Sequence, residues 1–264
     1  MSQNVVEITF SIEGDRPKVV EEIEGLIAAL FHQGQIIGQE IITEDEPDKL
    51  VYICYAPTDT SLEEQYFSDW GKASLVKLSD DGCTMNWKMI SKSAANADWQ
   101  SAEYLVLFAR TIYPPISNES GETISTCSLP LHESHRSELR LWAGLHNACD
   151  ELWLGSEGEL ELTAYKQMCE PKSFLSDFGR TLCREVQKAT KKPTYYYLQK
   201  FYGRLADYKE IPCPGCGGDW NLKREEQKDL WDFPFRCDDC RLISSYAVRF
   251  DNEKRSKIGE FSKS

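Results

Sequence analysis

The sequence predicts an α+β protein in three parts. Residues 1–115 form an acidic mixed α/β sheet domain of ferredoxin-like element order, residues 122–205 a mainly helical segment, and residues 211–250 a C-terminal zinc ribbon. Three observations predict this. A β-α-β-β-α-β succession can be read from the first ninety residues. Helical periodicity marks Ser134 to Leu154 and Phe174 to Lys188, and two Cys-x-x-Cys pairs follow near the end of the chain.

The elements of the first part follow from local chemistry. Val5 to Ile12 reads as a strand with Val5, Ile8 and Phe10 apolar in a β-branched setting. Pro17 opens a helix with Val20, Ile23, Ile27, Leu30 and Phe31 on its apolar face, and Gly34 closes it. Ile36 to Thr43 and Leu50 to Tyr55 are expected strands, separated by the acidic turn Glu44-Asp45-Glu46-Pro47-Asp48. Ser61 with Glu64 matches a capping box for a second helix carrying Leu62, Tyr66, Trp70 and Ala73 on one side. Asp80-Asp81-Gly82 ends it, and Thr84 to Ile90 and Glu103 to Ile112 are further strand candidates.

Pro114-Pro115 through Gly121 is a loop suited to a boundary. Ser134 to Leu154 and Phe174 to Lys188 then read as helices, with Gly155 to Gly158 between them.

In the last part, Cys213-Pro-Gly-Cys216 and Cys237-Asp-Asp-Cys240 leave 20 residues between the inner cysteines, a spacing that fits a zinc ribbon. Two residues between paired cysteines let a tight turn aim both sulfurs at one ion, and Zn²⁺ favours tetrahedral thiolate ligation. Cys213, Cys216, Cys237 and Cys240 are therefore the expected ligands of one structural Zn²⁺. Such a four-cysteine shell has no open position for substrate. A redox Cys-x-x-Cys would need one pair in a thioredoxin-like setting, which is absent. Cys213→Ser is expected to unfold this segment and leave the rest folded. The cysteines at 54, 83, 127, 149, 169 and 183 have no metal spacing and are read as small buried hydrophobes.

Charge narrows the partners. The net charge is −13, unevenly spread. Residues 1–177 hold 12 Lys and Arg against 30 Asp and Glu, while residues 178–212 hold 8 against 3. Most of the chain would repel a phosphate backbone, and only the stretch before the ribbon could attract one. On a helix through 174–191, Leu175, Phe178, Leu182, Val186 and Ala189 share a face, and Arg180, Arg184, Lys188 and Lys191 gather opposite, with Lys192 next. Tyr195-Tyr196-Tyr197, Phe201 and Tyr202 then interleave aromatics with Lys200 and Arg204. A cationic stripe beside aromatic rings can bind RNA or DNA. The same stripe also reads as the solvated side of an amphipathic helix with the tyrosines as core.

The N-terminus lacks a basic region before its first apolar run, and no apolar run approaches a membrane span, so a cytoplasmic location without membrane contact is expected. His132-Glu133-Ser134-His135 is one residue short of a zincin motif. There is no phosphate-binding glycine loop. No catalytic constellation and no small-molecule site emerges, so an enzyme is not expected.

Leu182-Cys183-Arg184, Pro193-Thr194-Tyr195-Tyr196-Tyr197, Cys213-Pro-Gly-Cys-Gly-Gly-Asp-Trp220 and Cys237-Asp-Asp-Cys-Arg-Leu242 together resemble an uncharacterised bacterial family of zinc-ribbon-containing proteins to which nucleic-acid binding is ascribed. The resemblance is specific over roughly the last ninety residues and implies the same four zinc ligands. Two functional expectations follow: a protein that binds RNA or DNA through the ribbon and basic helix, or an acidic module, immunity-like, that docks a basic protein.

Overall fold

Alternation of apolar and polar residues along Asn4–Ile12 puts Val6, Ile8, Phe10 and Ile12 on one face, and all four are buried. This strand, β1, is the middle of the first sheet in the computed structural model. The structure describes residues 4–92, 97–109, 114–155, 159–199, 212–222 and 233–245.

Two compact units divide the chain. The first comprises residues 1–98, 112–115 and 123–140. Its elements run β1, α1 (Arg16–His32), β2 (Ile37–Glu46), β3 (Lys49–Ala56), α2 (Asp69–Asp80) and β4 (Cys83–Ser91). The strand order is β2-β3-β1-β4, with every adjacent pair antiparallel. This is the split β-α-β arrangement that the element succession calls for. Phe10 sits opposite Leu50 and Ile8 opposite Tyr52, so core side chains meet in cross-strand pairs.

α1 buries Val19, Ile23, Leu26, Ile27 and Leu30, a stripe turned slightly from the expected one, with Phe31 only partly covered. Its end is as expected, with Gly34 in the left-handed region at φ 71°. The second helix differs from expectation. Glu64–Tyr66 is a lone 3₁₀ turn, and α2 starts at Asp69, capped by Ser68, whose hydroxyl accepts from the Gly71 amide at 3.0 Å. Ser61 cannot cap a helix because its hydroxyl serves Thr58, accepting from that amide at 2.9 Å. The shift turns Gly71, Ser74 and Leu78 inward and leaves Trp70 and Ala73 exposed.

The second unit comprises residues 99–111, 116–122 and 141–264. Here β5 is Leu105–Leu107, shorter than the strand expected over 103–112. β6 is Ile116–Asn118, and β7 (Thr123–Ile124) returns to the first unit. α3 (Glu133–Gly155) begins in the first unit and continues in the second. α4 (Glu159–Cys169) has no counterpart in the sequence reading, α5 is Phe174–Thr190, and β8 is Thr194–Tyr197. The ribbon supplies β9 (Phe235–Cys237) and β10 (Leu242–Ser244).

Strands of this unit follow the order β6-β5-β8-β10-β9. β8 lies between β5 and β10 and is parallel to both. Its three consecutive tyrosines alternate in direction, as a strand requires. Tyr196 faces the helices and meets Trp142 edge-on at 5.8 Å. Tyr195 and Tyr197 face the other layer, with Tyr104, Phe108, Phe233 and Ile243. α5 buries Leu175, Gly179, Leu182 and Val186 against this sheet. Gly179 is obligatory there, because a Cβ would lie 2.3 Å from the Tyr196 ring and 2.6 Å from Trp142 Nε1.

Candidate metal centre

The first cysteine pair is shaped by a closed backbone turn. The Cys213 amide donates to the Gly218 carbonyl at 2.7 Å, and the Gly217 amide donates back to the Cys213 carbonyl at 2.7 Å. Gly217 has φ 76°, a conformation that costs glycine nothing. The second pair sits on the turn between β9 and β10, where the Cys240 amide points at Cys237 Sγ, 3.4 Å away. Arg241, the residue after this pair, also lies in the left-handed region, at φ 54°. The two turns are therefore built alike, each with a left-handed residue following its second cysteine.

Arg241 has a Cβ, so its conformation costs roughly 1–2 kcal/mol. Its side chain offsets that cost. The guanidinium lies over the Tyr195 ring, 5.3 Å from the centroid, and Nη1 donates to the Tyr195 hydroxyl at 3.1 Å. That hydroxyl in turn donates to Asp238, between the paired cysteines. Burial, then the Asp238 carboxylate, pushes the Tyr195 hydroxyl up to about 12, so it remains a donor at neutral pH.

All four sulfurs lie within 4.8 Å of one another, with Cys216 and Cys237 Sγ 3.7 Å apart. Among the described residues this is the group able to hold a metal ion. Gly215 lets the turns close, because a Cβ there would be 2.7 Å from Cys240 Sγ. Burial and the neighbouring thiols push Cys237 up to about 11 and Cys240 up as well. Cys216 shifts down, chiefly through the Gly218 backbone amide. A cation would replace the protons that the second pair otherwise keeps. The expected ligands thus converge, and their donor set fits one metal ion.

The hairpin does not stand apart from the second unit. β10 pairs with β8, the Tyr196 amide donating to the Arg241 carbonyl and the Leu198 amide to the Ile243 carbonyl, each at 2.9 Å. Trp220 is buried against Phe235, 5.1 Å between ring centroids, and its carbonyl accepts from the Arg236 amide at 2.7 Å. No signal in the cysteine spacing announces this union.

The residues singled out for nucleic acid lie on or just after α5. Arg184, Lys188 and Lys191 are exposed and Arg180 is half-buried, its Nη1 donating to the Pro171 carbonyl at 3.3 Å. Lys188 is 3.7 Å from Glu185. Lys191 is the helix cap, at φ 62°. Lys192 donates from Nζ to the carbonyls of Gln100 and Ala102 at 2.8 and 2.7 Å, which anchors the start of β8 beside β5. Tyr195, Tyr196 and Tyr197 are core residues and offer no face for stacked bases. Phe201, Tyr202, Lys200 and Arg204 lie outside the described residues. His132 and His135 are engaged locally, by Ser134 and Glu138 respectively, each at 2.9 Å. No described helix is long and apolar enough to cross a membrane.

Comparison with known proteins finds three matching stretches. Residues 4–91 match a domain of unknown function (DUF8589), residues 99–199 a domain of unknown function (DUF2310), and residues 203–250 a domain of unknown function (DUF8594). The chain is faintly similar to SnoaB, a cofactor-independent oxygenase from Streptomyces nogalater, at 11% identity and TM-score 0.29 over 36% of this chain and 97% of that one. It is likewise faintly similar to Rv0793 from Mycobacterium tuberculosis, at 13% identity and TM-score 0.25 over 35% and 99%. Likenesses this slight carry no conclusion about fold or activity. An uncharacterized protein of Haemophilus influenzae is 32% identical over 60% of this chain and 78% of its own length. Another from the same organism is 30% identical over 252 residues, 88% of this chain and 94% of the relative. With that identity sustained over nearly the whole of both, the chain belongs to the same family of uncharacterised bacterial proteins.

Proposed function

We propose that this chain is a zinc-dependent binding protein and not an enzyme, with one structural Zn²⁺ held by Cys213, Cys216, Cys237 and Cys240. The observation that carries the reading is the convergence of four sulfurs within 4.8 Å. A tetrahedral Zn²⁺ with bonds of about 2.3 Å sets its sulfurs about 3.8 Å apart, close to the 3.7 Å between Cys216 and Cys237. Four thiolates fill the shell, leave no position for substrate, and bind with about 10–16 kcal/mol of apparent free energy near neutral pH. Native mass spectrometry of the purified protein is expected to find one zinc per chain. A chain purified under reducing conditions and free of metal would end this reading. A cytoplasmic location goes with it, since thiols stay reduced there.

The partner proposed is RNA or DNA, contacted by the ribbon and the exposed cations Arg184, Lys188 and Lys191. Gel shifts at graded salt test this. Binding should weaken steeply with salt, and reversing Arg180, Arg184 and Lys191 to Glu should flatten the slope. No retention at low salt would exclude it. The excess of 30 acidic over 12 basic residues in positions 1–177 favours a second reading, an inhibitor-like acidic face that docks a basic protein. In that case a basic partner is captured from nuclease-treated lysate and lost as salt rises.

A further inference from the structure

We infer that the four-cysteine site is an oxidation-sensitive latch on the sheet of the second unit, opened by a hydroperoxide at Cys216. The inference rests on the structural-zinc reading and adds a regulation to it.

Two features of the structure carry it. The first is unequal exposure. Cys213 and Cys237 are buried and Cys240 is half-buried, whereas Cys216 is exposed and 3.7 Å from Cys237 Sγ. A small oxidant therefore reaches one ligand, which has a partner sulfur at hand. Other thiols compete poorly: Cys54, Cys83, Cys127, Cys169 and Cys183 are buried, Cys149 is half-buried, and burial pushes all of these but Cys54 up, away from the reactive thiolate.

The second feature is what the metal turn holds in place. Arg241 directly follows the last ligand, and its carbonyl is the acceptor for the Tyr196 amide. Ile243 accepts from Leu198, and the Ser244 hydroxyl donates to the Leu198 carbonyl at 2.9 Å. Asp238, inside the second pair, accepts from Tyr195. The second turn thus anchors β10 to β8, and Ile243 completes the aromatic layer of Tyr195, Tyr197 and Phe108.

The chemistry balances. The Cys216 thiolate attacks one peroxide oxygen, forming an S–O bond and breaking the O–O bond, and the departing hydroxide takes a proton to become water. The Cys237 thiolate then attacks the Cys216 sulfur, forming the disulfide and expelling the second oxygen, which also leaves as water. Two thiolates lose two electrons, hydrogen peroxide gains them, and Zn²⁺ leaves unchanged for want of two ligands. Loss of the ion frees the turn, and β10 parts from β8.

The test uses intact, zinc-loaded protein treated with one equivalent of hydrogen peroxide. Zinc release is followed with a chromogenic chelator, disulfides are mapped by mass spectrometry, and amide exchange is read at Tyr196 and Leu198. The expected result is zinc release, a Cys216–Cys237 disulfide, and exchange at both amides faster by about tenfold or more. Dithiothreitol with added zinc should restore protection. Zinc retained, oxidation at another cysteine first, or release with exchange unchanged would each overturn the latch. Zinc content before treatment separates the two claims. Protein that never held zinc overturns the metal reading, whereas loaded protein that keeps its protection overturns only the latch.

Discussion

The hydroxyl of Tyr195 is bonded on both sides by the second cysteine turn, donating to Asp238 and accepting from Arg241 Nη1 at 3.1 Å. A strand of the second unit thereby holds one of the two residues between the last two cysteines and the residue after them. The ribbon was expected to unfold alone when a ligand is lost. Its attachment to β8 predicts instead that loss of a cysteine also loosens that strand.

Tyr195→Phe measures that attachment. It keeps the ring and removes the hydroxyl that bonds Asp238 and Arg241, both charged, at a cost of about 1–3 kcal/mol. Thermal melts of the zinc-loaded protein should fall by about 2–12 °C on the scaling for chains of this size. Zinc should also be lost to a competing chelator at lower concentration. An unchanged melt and unchanged zinc retention would show that the hydroxyl contributes nothing.

Arg241 separates backbone strain from side-chain contacts. Arg241→Ala keeps the left-handed strain and removes the contact with Tyr195, so it should destabilise by about 1–2 kcal/mol. Arg241→Gly relieves the strain while losing the same contacts, and should be the milder change. Denaturant midpoints of the two variants decide the matter. If alanine is tolerated better than glycine, strain at this position is not what the side chain offsets.

Gly179→Ala tests the contact between α5 and β8. The added methyl would overlap Tyr196 and Trp142, both fully buried, so neither ring can swing into solvent. Overpacking of this kind costs about 1–3 kcal/mol or more. Helix propensity alone would make the same change favourable by about 1 kcal/mol, so the sign of the measured effect discriminates.

Much of this architecture is legible in the sequence, and what is not has physical causes. Alternation in Val5 to Ile12 and the cysteine pairs are local signals, so strand β1 and the convergence of the four cysteines follow directly. The start of α2 depends on which serine has a free hydroxyl, and Ser61 is occupied by Thr58. α4 escapes because Leu160 is exposed at its first turn, which blurs the apolar periodicity. The tyrosines of β8 look alike on paper. Only the pairing of β8 with β5 and β10, across long stretches of chain, assigns them to opposite faces. Lys192 belongs to a basic run in sequence, but two backbone carbonyls occupy it.

His146 supplies a pH dependence. It is buried beside Trp142, its Nδ1 has no hydrogen-bond partner among the described residues, and burial lowers its pKa from 6.5 to about 4. The unfolded chain therefore binds a proton below pH 6.5 that the folded chain refuses until about pH 4. Stability should be full above pH 6.5 and decline toward pH 4, by about 3 kcal/mol from this group. In His146→Leu that component should vanish. Equal acid sensitivity in both proteins, followed by urea unfolding at each pH, would remove histidine as its source.

The parallel pairing of β10 with β8 has a consequence for shortened forms of the chain. A polypeptide ended before Cys213 would leave the flank of β8 bare, with the Tyr196 and Leu198 amides unanswered. An open row of backbone donors beside buried tyrosines is a template for recruiting other polypeptides into aggregates. Residues 99–199 are thus a poor choice for isolated expression, and a fragment meant to stay dispersed must run past Ser244.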